Sequence, residues 1–160
     1  MKEVRLNGGR GIALVDDDDF ERVSQHKWHL HSGNYAATSM KVNGDIKTVS
    51  LHRFILRTNG GIDHKDRNGL NNCRNNLRPC TYSQNSANRR LHRNNTSGYK
   101  GVSLMRKTGK WSATIKVNRR VHFLGSFECK QEAAKVYDSA ARRFFGEFAF
   151  LNFPDAHGKD

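Results

Sequence analysis

The chain has 160 residues, enough for one medium domain or two to three small modules. Only 36% of them are hydrophobic and the mean hydropathy is −0.81, so any core is modest and divided among modules. There are 28 Lys and Arg against 15 Asp and Glu, a formal net charge of +13 at pH 7; such a field favours a polyanion and puts nucleic acid first among partners. Three cysteines, Cys73, Cys80 and Cys129, form no Cys-x-x-Cys pair, which argues against a disulfide framework and against a zinc site built on cysteine pairs. No apolar run approaches the ~20 residues that cross a bilayer, the first residues lack the apolar core of a signal peptide, and no basic amphipathic helix presents a bulky apolar face to lipid. A soluble, cytoplasmic chain with no membrane partner is expected.

The charge is uneven along the sequence. Residues 1–60 carry a net +2, residues 61–93 carry +5 and residues 94–160 carry +6. The basic residues are interleaved with apolar and aromatic positions, so they do not form a tail on a neutral body.

Residues 11–56 read as strands. The apolar run Gly11–Val15 ends in Asp16–Asp19, read as a solvated turn that caps a short helical turn through residues 20–23. Trp28, Leu30, Tyr35 and Ala37 flank the turn Ser32-Gly33-Asn34, and Asn43-Gly44 marks a hairpin between Met40–Val42 and Ile46–Leu51. Residues 48–56 are apolar enough to be half-buried. Residues 58–81 are rich in Asn, Gly and Asp with little periodicity; this loop-dominated stretch needs a metal or a flanking helix to organise it. Thr81 is placed to cap a helix over residues 82–91.

Residues 92–97 are polar and read as a linker. Strands follow at 99–105, 110–117 and 120–127, with turns at Thr108-Gly109 and Asn118-Arg119. A helix runs from 130 to 145, with Ala133, Ala134, Tyr137, Ala140, Ala141, Phe144 and Phe145 at helical spacing and Gly146 as its stop.

The segment 62–88 reads IDHKDRNGLNNCRNNLRPCTYSQNSAN. Asp63-His64, Asn76-Leu77 and Asn85 follow in order and spacing, and the segment resembles the HNH nuclease motif, a ββα-metal fold, most closely that of phage and intron-type homing endonucleases. The resemblance implies that His64 is the general base and that Asn76 braces the loop holding it. It makes Asp63 and Asn85 oxygen ligands of one divalent ion, Mg²⁺ or Mn²⁺ in preference to zinc, with Asn88 the alternative to Asn85. A neutral imidazole takes a proton from water near pH 7. Arg67, Arg74, Arg78, Arg89 and Arg90 surround the motif and are expected to grip phosphates. His52 is read as structural or as a phosphate contact. The same resemblance puts the protein in a host-cell cytoplasm if it is phage-encoded.

Residues 97–154 carry Gly98–Val102, Trp111–Ile115, Phe123–Phe127, Glu132–Ala134, Tyr137-Asp138, Ala140-Ala141 and Leu151–Pro154. They resemble the plant APETALA/ethylene-response-factor DNA-binding domain, which implies a three-stranded antiparallel sheet backed by one helix, with the sheet in the major groove. Strand alternation turns Trp111, Ala113, Ile115 and Val117 to the helix and Ser112, Thr114 and Lys116 to DNA. Lys100, Arg106, Lys107, Lys110, Arg119 and Arg120 add charge to that surface. Ser103, Thr114 and Lys116 depart from the family pattern, so the plant sequence preference does not transfer. Cys129 stands where Thr or Ser is usual, which implies a weaker helix cap.

The expected class is α+β: an N-terminal β-rich module, a central ββα-metal motif and a C-terminal three-stranded antiparallel sheet on one helix. The modules are 1–93 (motif about 50–90), linker 94–97, module 98–154 and tail 155–160. The expected function is a site-specific, metal-dependent homing endonuclease acting on double-stranded DNA as a monomer or weak dimer. The rival is a transcription-factor-like DNA binder with an inactive nuclease motif.

Overall fold

The computed structural model describes residues 1–154; the expected tail at 155–160 lies outside them. Among the described residues the fold is α+β, with four small antiparallel sheets and four α-helices. The chain divides into two compact units, Met1–Thr81 and a second that begins at Tyr82.

In the first unit β1 (Lys2–Arg5) pairs with β2 (Ile12–Val15), and α1 (Asp17–Ser24) follows. Then β3 (His29–His31), β4 (Tyr35–Val42) and β5 (Asp45–Ser50) make a three-stranded sheet. Asn43 and Gly44 both take positive φ, 53° and 91°, as the expected two-residue hairpin turn requires. The strand reading of 11–56 fails in its last stretch: α2 (Leu51–Leu56) is a helix. Leu51 and Ile55, one turn apart, drop together into the core, and Arg57 in the left-handed region closes the helix.

After α2 come β6 (Ile62–His64), a 3-10 turn (Arg74–Asn76) and β7 (Leu77–Pro79), with β6 and β7 paired. Ile62 and Leu77 are buried in one core with Val15, Val23, Trp28, Leu51 and Ile55. The Asn-rich stretch is therefore not a module of its own. Its organiser is β2, whose Leu14 N donates to Leu70 O (2.8 Å) while Leu14 O accepts from Asn72 N (2.8 Å).

The four aspartates are also corrected. Asp16 makes no side-chain cap bond to α1; its Oδ2 accepts from Arg74 N at 2.7 Å. Asp19 is buried and accepts from Arg74 Nε (2.7 Å), Arg74 Nη2 (2.8 Å) and Arg22 Nη2 (2.9 Å). The two guanidiniums hold its carboxyl below the usual carboxylate range against the opposing effect of burial. Asp16 and Asp19 are thus structural, while Asp17 and Asp18 are exposed in the first turn of α1 as expected.

The second unit opens with α3 (Tyr82–Asn88), shorter than the expected 82–91. The stretch 92–97 lies inside this unit and is tied down, Asn95 Nδ2 and Ser97 Oγ both donating to Tyr99 O at 2.9 Å. Strands β8 (Val102–Leu104), β9 (Trp111–Val117) and β10 (Arg120–Phe127) form one antiparallel sheet with β9 central, and α4 (Lys130–Phe145) packs on it. Ala133 and Ala134 are fully buried against Val102 and Ala113, small side chains that let helix and sheet approach closely. Phe144 leaves this face and stacks on His122, ring centroids 5.7 Å apart. Gly101 has φ 75°, and a Cβ there would lie 2.0 Å from the Tyr137 ring, so only glycine fits. Cys129 makes no cap hydrogen bond to α4. No helix among the described residues is long and apolar enough to cross a membrane.

Candidate active site and nucleic-acid interface

The β6–β7 pair sets the geometry of the motif. Its register places Ile62 opposite Pro79, Asp63 opposite Arg78 and His64 opposite Leu77. Asp63 Oδ2 therefore receives Arg78 Nε at 2.9 Å and Nη2 at 2.8 Å. Both residues are buried, with 4% and 9% of their surface exposed. Arg78, expected on phosphate, is instead the partner of the acid beside the candidate base. Arg74 is likewise engaged by Asp19. Arg67, Arg89 and Arg90 are exposed; Arg67 sits in the turn just after β6, its N donating to His64 O at 2.9 Å.

His64 is 5% exposed. Its ring lies edge-on to His52 (centroids 5.2 Å apart) and 5.5 Å from Tyr35, and Tyr35 lies 5.4 Å from His52. Gly69 seats Tyr35: a Cβ there would stand 2.7 Å from the tyrosine ring and from Asn34 O. Burial pushes His64 below the ordinary histidine value, opposed by a hydrogen bond with Asn72 and by the charges of Asp66 and Asp63. Burial, then His64 and Arg53, push His52 down to about 4. At pH 7 both rings are neutral. The three-ring cluster is absent from the sequence reading, because nothing in the pattern of a six-residue helix announces that His52 meets His64.

Asn76 ties the loop between the strands. Its Oδ1 accepts from Asp66 N (3.0 Å), and its Nδ2 donates to Asp66 Oδ1 (2.9 Å) and Asn71 O (2.8 Å). Asp66 Oδ1 also accepts from Asn68 N at 2.8 Å, a local turn closed by the side chain. Lys65 N then donates to Asn76 O at 2.9 Å, joining the network to the strand that carries His64. The Asn and Asp richness of this segment is thus a bonding pattern rather than slack.

On the second unit's sheet, Ala113 and Ile115 of β9 are buried against α4 and Lys116 is exposed, as the alternation predicts, but Ser112, expected to face DNA, is buried and hydrogen-bonded to Ser103. Register puts Thr114 opposite Phe123 and Lys116 opposite Val121, so these four share one face. Val121 and Phe123 are 66% and 64% exposed; they extend the outward set beyond the β9 residues singled out from the sequence. The two-residue turn Asn118-Arg119 was the signal, since it fixes which β10 residue faces Lys116. Arg106, Lys107, Lys110, Arg119 and Arg120 are exposed around the hairpin tips, with Lys110 paired to Glu128 at 2.8 Å. Lys100 departs from the expected surface role: its Nζ donates to backbone carbonyls of Ala87 and Arg89.

Over 156 residues, 92% of this chain and 78% of the other, the sequence is 33% identical to an uncharacterized HNH endonuclease of Acanthamoeba polyphaga mimivirus. The chain belongs to the HNH endonuclease family. It is also 34% identical over 88 residues to protein 3.8 of Escherichia phage T7, which covers 55% of this chain and 72% of that protein. A separate likeness joins it to plant proteins: it is 52% identical over 58 residues to a dehydration-responsive element-binding protein of Oryza sativa subsp. japonica, spanning 35% of this chain and 18% of that one. A scan against protein-family models gives no match.

For an HNH endonuclease the donor set decides which ion suits the motif. Among the described residues no three His, Cys, Asp or Glu side chains converge. A carboxylate such as Asp63 and an amide such as Asn85 offer hard oxygen donors, a chemistry that suits Mg²⁺ or Mn²⁺ better than zinc; Asp63 lies in the first unit and Asn85 in the second. Asn85 is half-buried on α3, whereas Asn88 is buried.

Two outcomes follow for stability. Arg78→Met strands the buried Asp63 carboxylate and lowers the unfolding free energy by about 3 kcal/mol; the Asp63→Asn, Arg78→Met double variant recovers over half of that loss in urea titrations. His52, half-buried and neutral at pH 7, contributes stability that is complete above pH 6.5 and lost as pH falls toward its folded value of about 4. The loss reaches up to about 3 kcal/mol, and His52→Gln flattens that part of the stability–pH curve.

Proposed function

We propose that the protein is a site-specific, divalent-metal-dependent DNA endonuclease of the homing type. The observation that carries this reading is a neutral His64 next to Asp63 at the end of β6, fixed by a loop that Asn76 closes. His64 accepts the proton of a water molecule on its ring. The water oxygen bonds to phosphorus, the bond to the 3′-oxygen breaks, and that oxygen takes a proton from solvent, leaving a 5′-phosphate and a 3′-hydroxyl. Arg78 holds one oxygen of Asp63 in place, and the resemblance assigns Asp63 and Asn85 as the donors for Mg²⁺ or Mn²⁺. When bound, that ion neutralises charge on the scissile phosphate and on the leaving oxygen.

Binding falls to the second unit. Thr114 and Lys116, with the exposed Val121 and Phe123, face the major groove, where apolar side chains meet thymine methyl groups. Arg106, Lys107, Lys110, Arg119 and Arg120 contact phosphates there, as Arg67, Arg89 and Arg90 do nearer the motif. Two contact surfaces on one chain raise the effective concentration of each at its target and give specificity without one very tight site. A monomer nicks one strand; a weak dimer cuts two.

The test is supercoiled plasmid and genomic DNA incubated with the full chain and Mg²⁺ or Mn²⁺, with an EDTA control, beside a gel-shift assay. Nicked or linear product in metal, none in EDTA, and a shifted band in both is expected. A shifted band with no product in either metal would move the protein to the transcription-factor-like alternative with an inactive nuclease motif.

A further inference from the structure

α3 has seven residues, and an isolated helix below ~12–15 residues is marginal. Its last carbonyls have no partner within the helix. The Lys100 ammonium meets them, donating to the carbonyls of Ser86 (3.5 Å), Ala87 and Arg89 (2.7 Å). An ammonium has three N–H donors, and these three carbonyls, with the Phe150 ring 5.2 Å from Nζ, surround it. A cation at a helix C-terminus also complements the helix dipole.

Other bonds support the same attachment. Phe150 N donates to Ala87 O at 3.2 Å, and Asn118 N, in the β9–β10 turn, donates to Ser83 Oγ at 3.1 Å. Ala87 is buried with Ile115, Tyr137, Ala141 and Phe145, the core of the DNA-binding module. Lys100 itself starts from a fixed backbone. Its N donates to Asn152 Oδ1 (2.7 Å) and its O accepts from Asn152 Nδ2 (3.2 Å). Asn152 is held in turn by the buried Asp138 of α4, through N (2.9 Å) and Nδ2 (3.0 Å).

We propose that Lys100 is a clamp that builds α3 into the DNA-binding module, so that the helix bearing Asn85 moves as one piece with the sheet that meets DNA. Lys100 is then a positioning residue for cleavage and not a phosphate contact. The cleavage arm of this inference rests on the nuclease reading; the clamp itself does not.

The test uses the full chain. In Lys100→Gln, amide exchange in α3 speeds up at least tenfold while β9 keeps its protection. The slope of log affinity for DNA against log salt stays at the wild-type value, and single-turnover cleavage at saturating DNA slows about tenfold, with Lys100→Arg restoring part of the rate. Amine acetylation of the wild-type chain without DNA supplies a readout independent of any variant: Lys100 is protected, whereas Lys107 and Lys116 react and become protected only when DNA is added. Three results would overturn the clamp: unchanged exchange in α3, a salt slope reduced by about one (the mark of a lost phosphate contact), or free acetylation of Lys100 in the absence of DNA. A wild-type chain that cuts no DNA would instead overturn the nuclease reading and leave the exchange and acetylation results to decide the clamp.

Discussion

Everything proposed for the motif depends on one cross-strand contact, the buried pair Asp63–Arg78. β6 and β7 are three residues each, too short for backbone bonds alone to enforce a register. A slip of one position would turn His64 to the opposite face. Two charges brought into a low-dielectric interior must be matched, or each costs several kcal/mol, so a slipped register is penalised heavily. A buried ion pair adds little net stability over an apolar pair of the same size; its contribution here is to make one register the only affordable one.

The rest of the first unit supports that small pair from outside. Ile62 and Leu77 drop into a core made by the N-terminal strands and by α1 and α2, and β2 bonds directly to the Asn-rich stretch. Tyr35, His52 and His64 pack as three rings, and burial there pushes His64 below the ordinary histidine value. The polar loop closes on itself through Asp66, Asn68, Asn71 and Asn76. A segment with almost no apolar residues is thus ordered by side-chain to backbone bonds on a scaffold supplied by the preceding sixty residues.

What the sequence disclosed and what it hid divide along physical lines. Local patterns were readable: the Asn43-Gly44 turn, the inward Ala113 and Ile115 of β9, most of the face of α4 and its stop at Gly146 each depend on neighbours within a turn or a hairpin. Long-range partners were not. Arg74 and Arg78 looked like phosphate ligands because an arginine's acid cannot be named from sequence when it lies 55 or 15 positions away. Residues 51–56 looked like a strand because six residues are too few to separate the two periodicities. Lys100 matched a basic landmark of the plant domain, yet the acceptors it meets are the carbonyl ends of a helix that the plant resemblance does not include. Val121 and Phe123 were within a quoted landmark or beside it, and only the register of the hairpin turned them outward.

The first unit holds the buried His64 and the second a basic, partly apolar sheet face. α3, which carries Asn85, belongs to the second unit, whereas Asp63 and His64 belong to the first. The central claim is that His64 takes the proton from the attacking water. Single-turnover cleavage by His64→Ala, at DNA concentrations where binding matches wild type, tests it most directly. A rate lower by 10²–10⁴ with unchanged affinity is predicted. Cleavage at the wild-type rate would contradict the account.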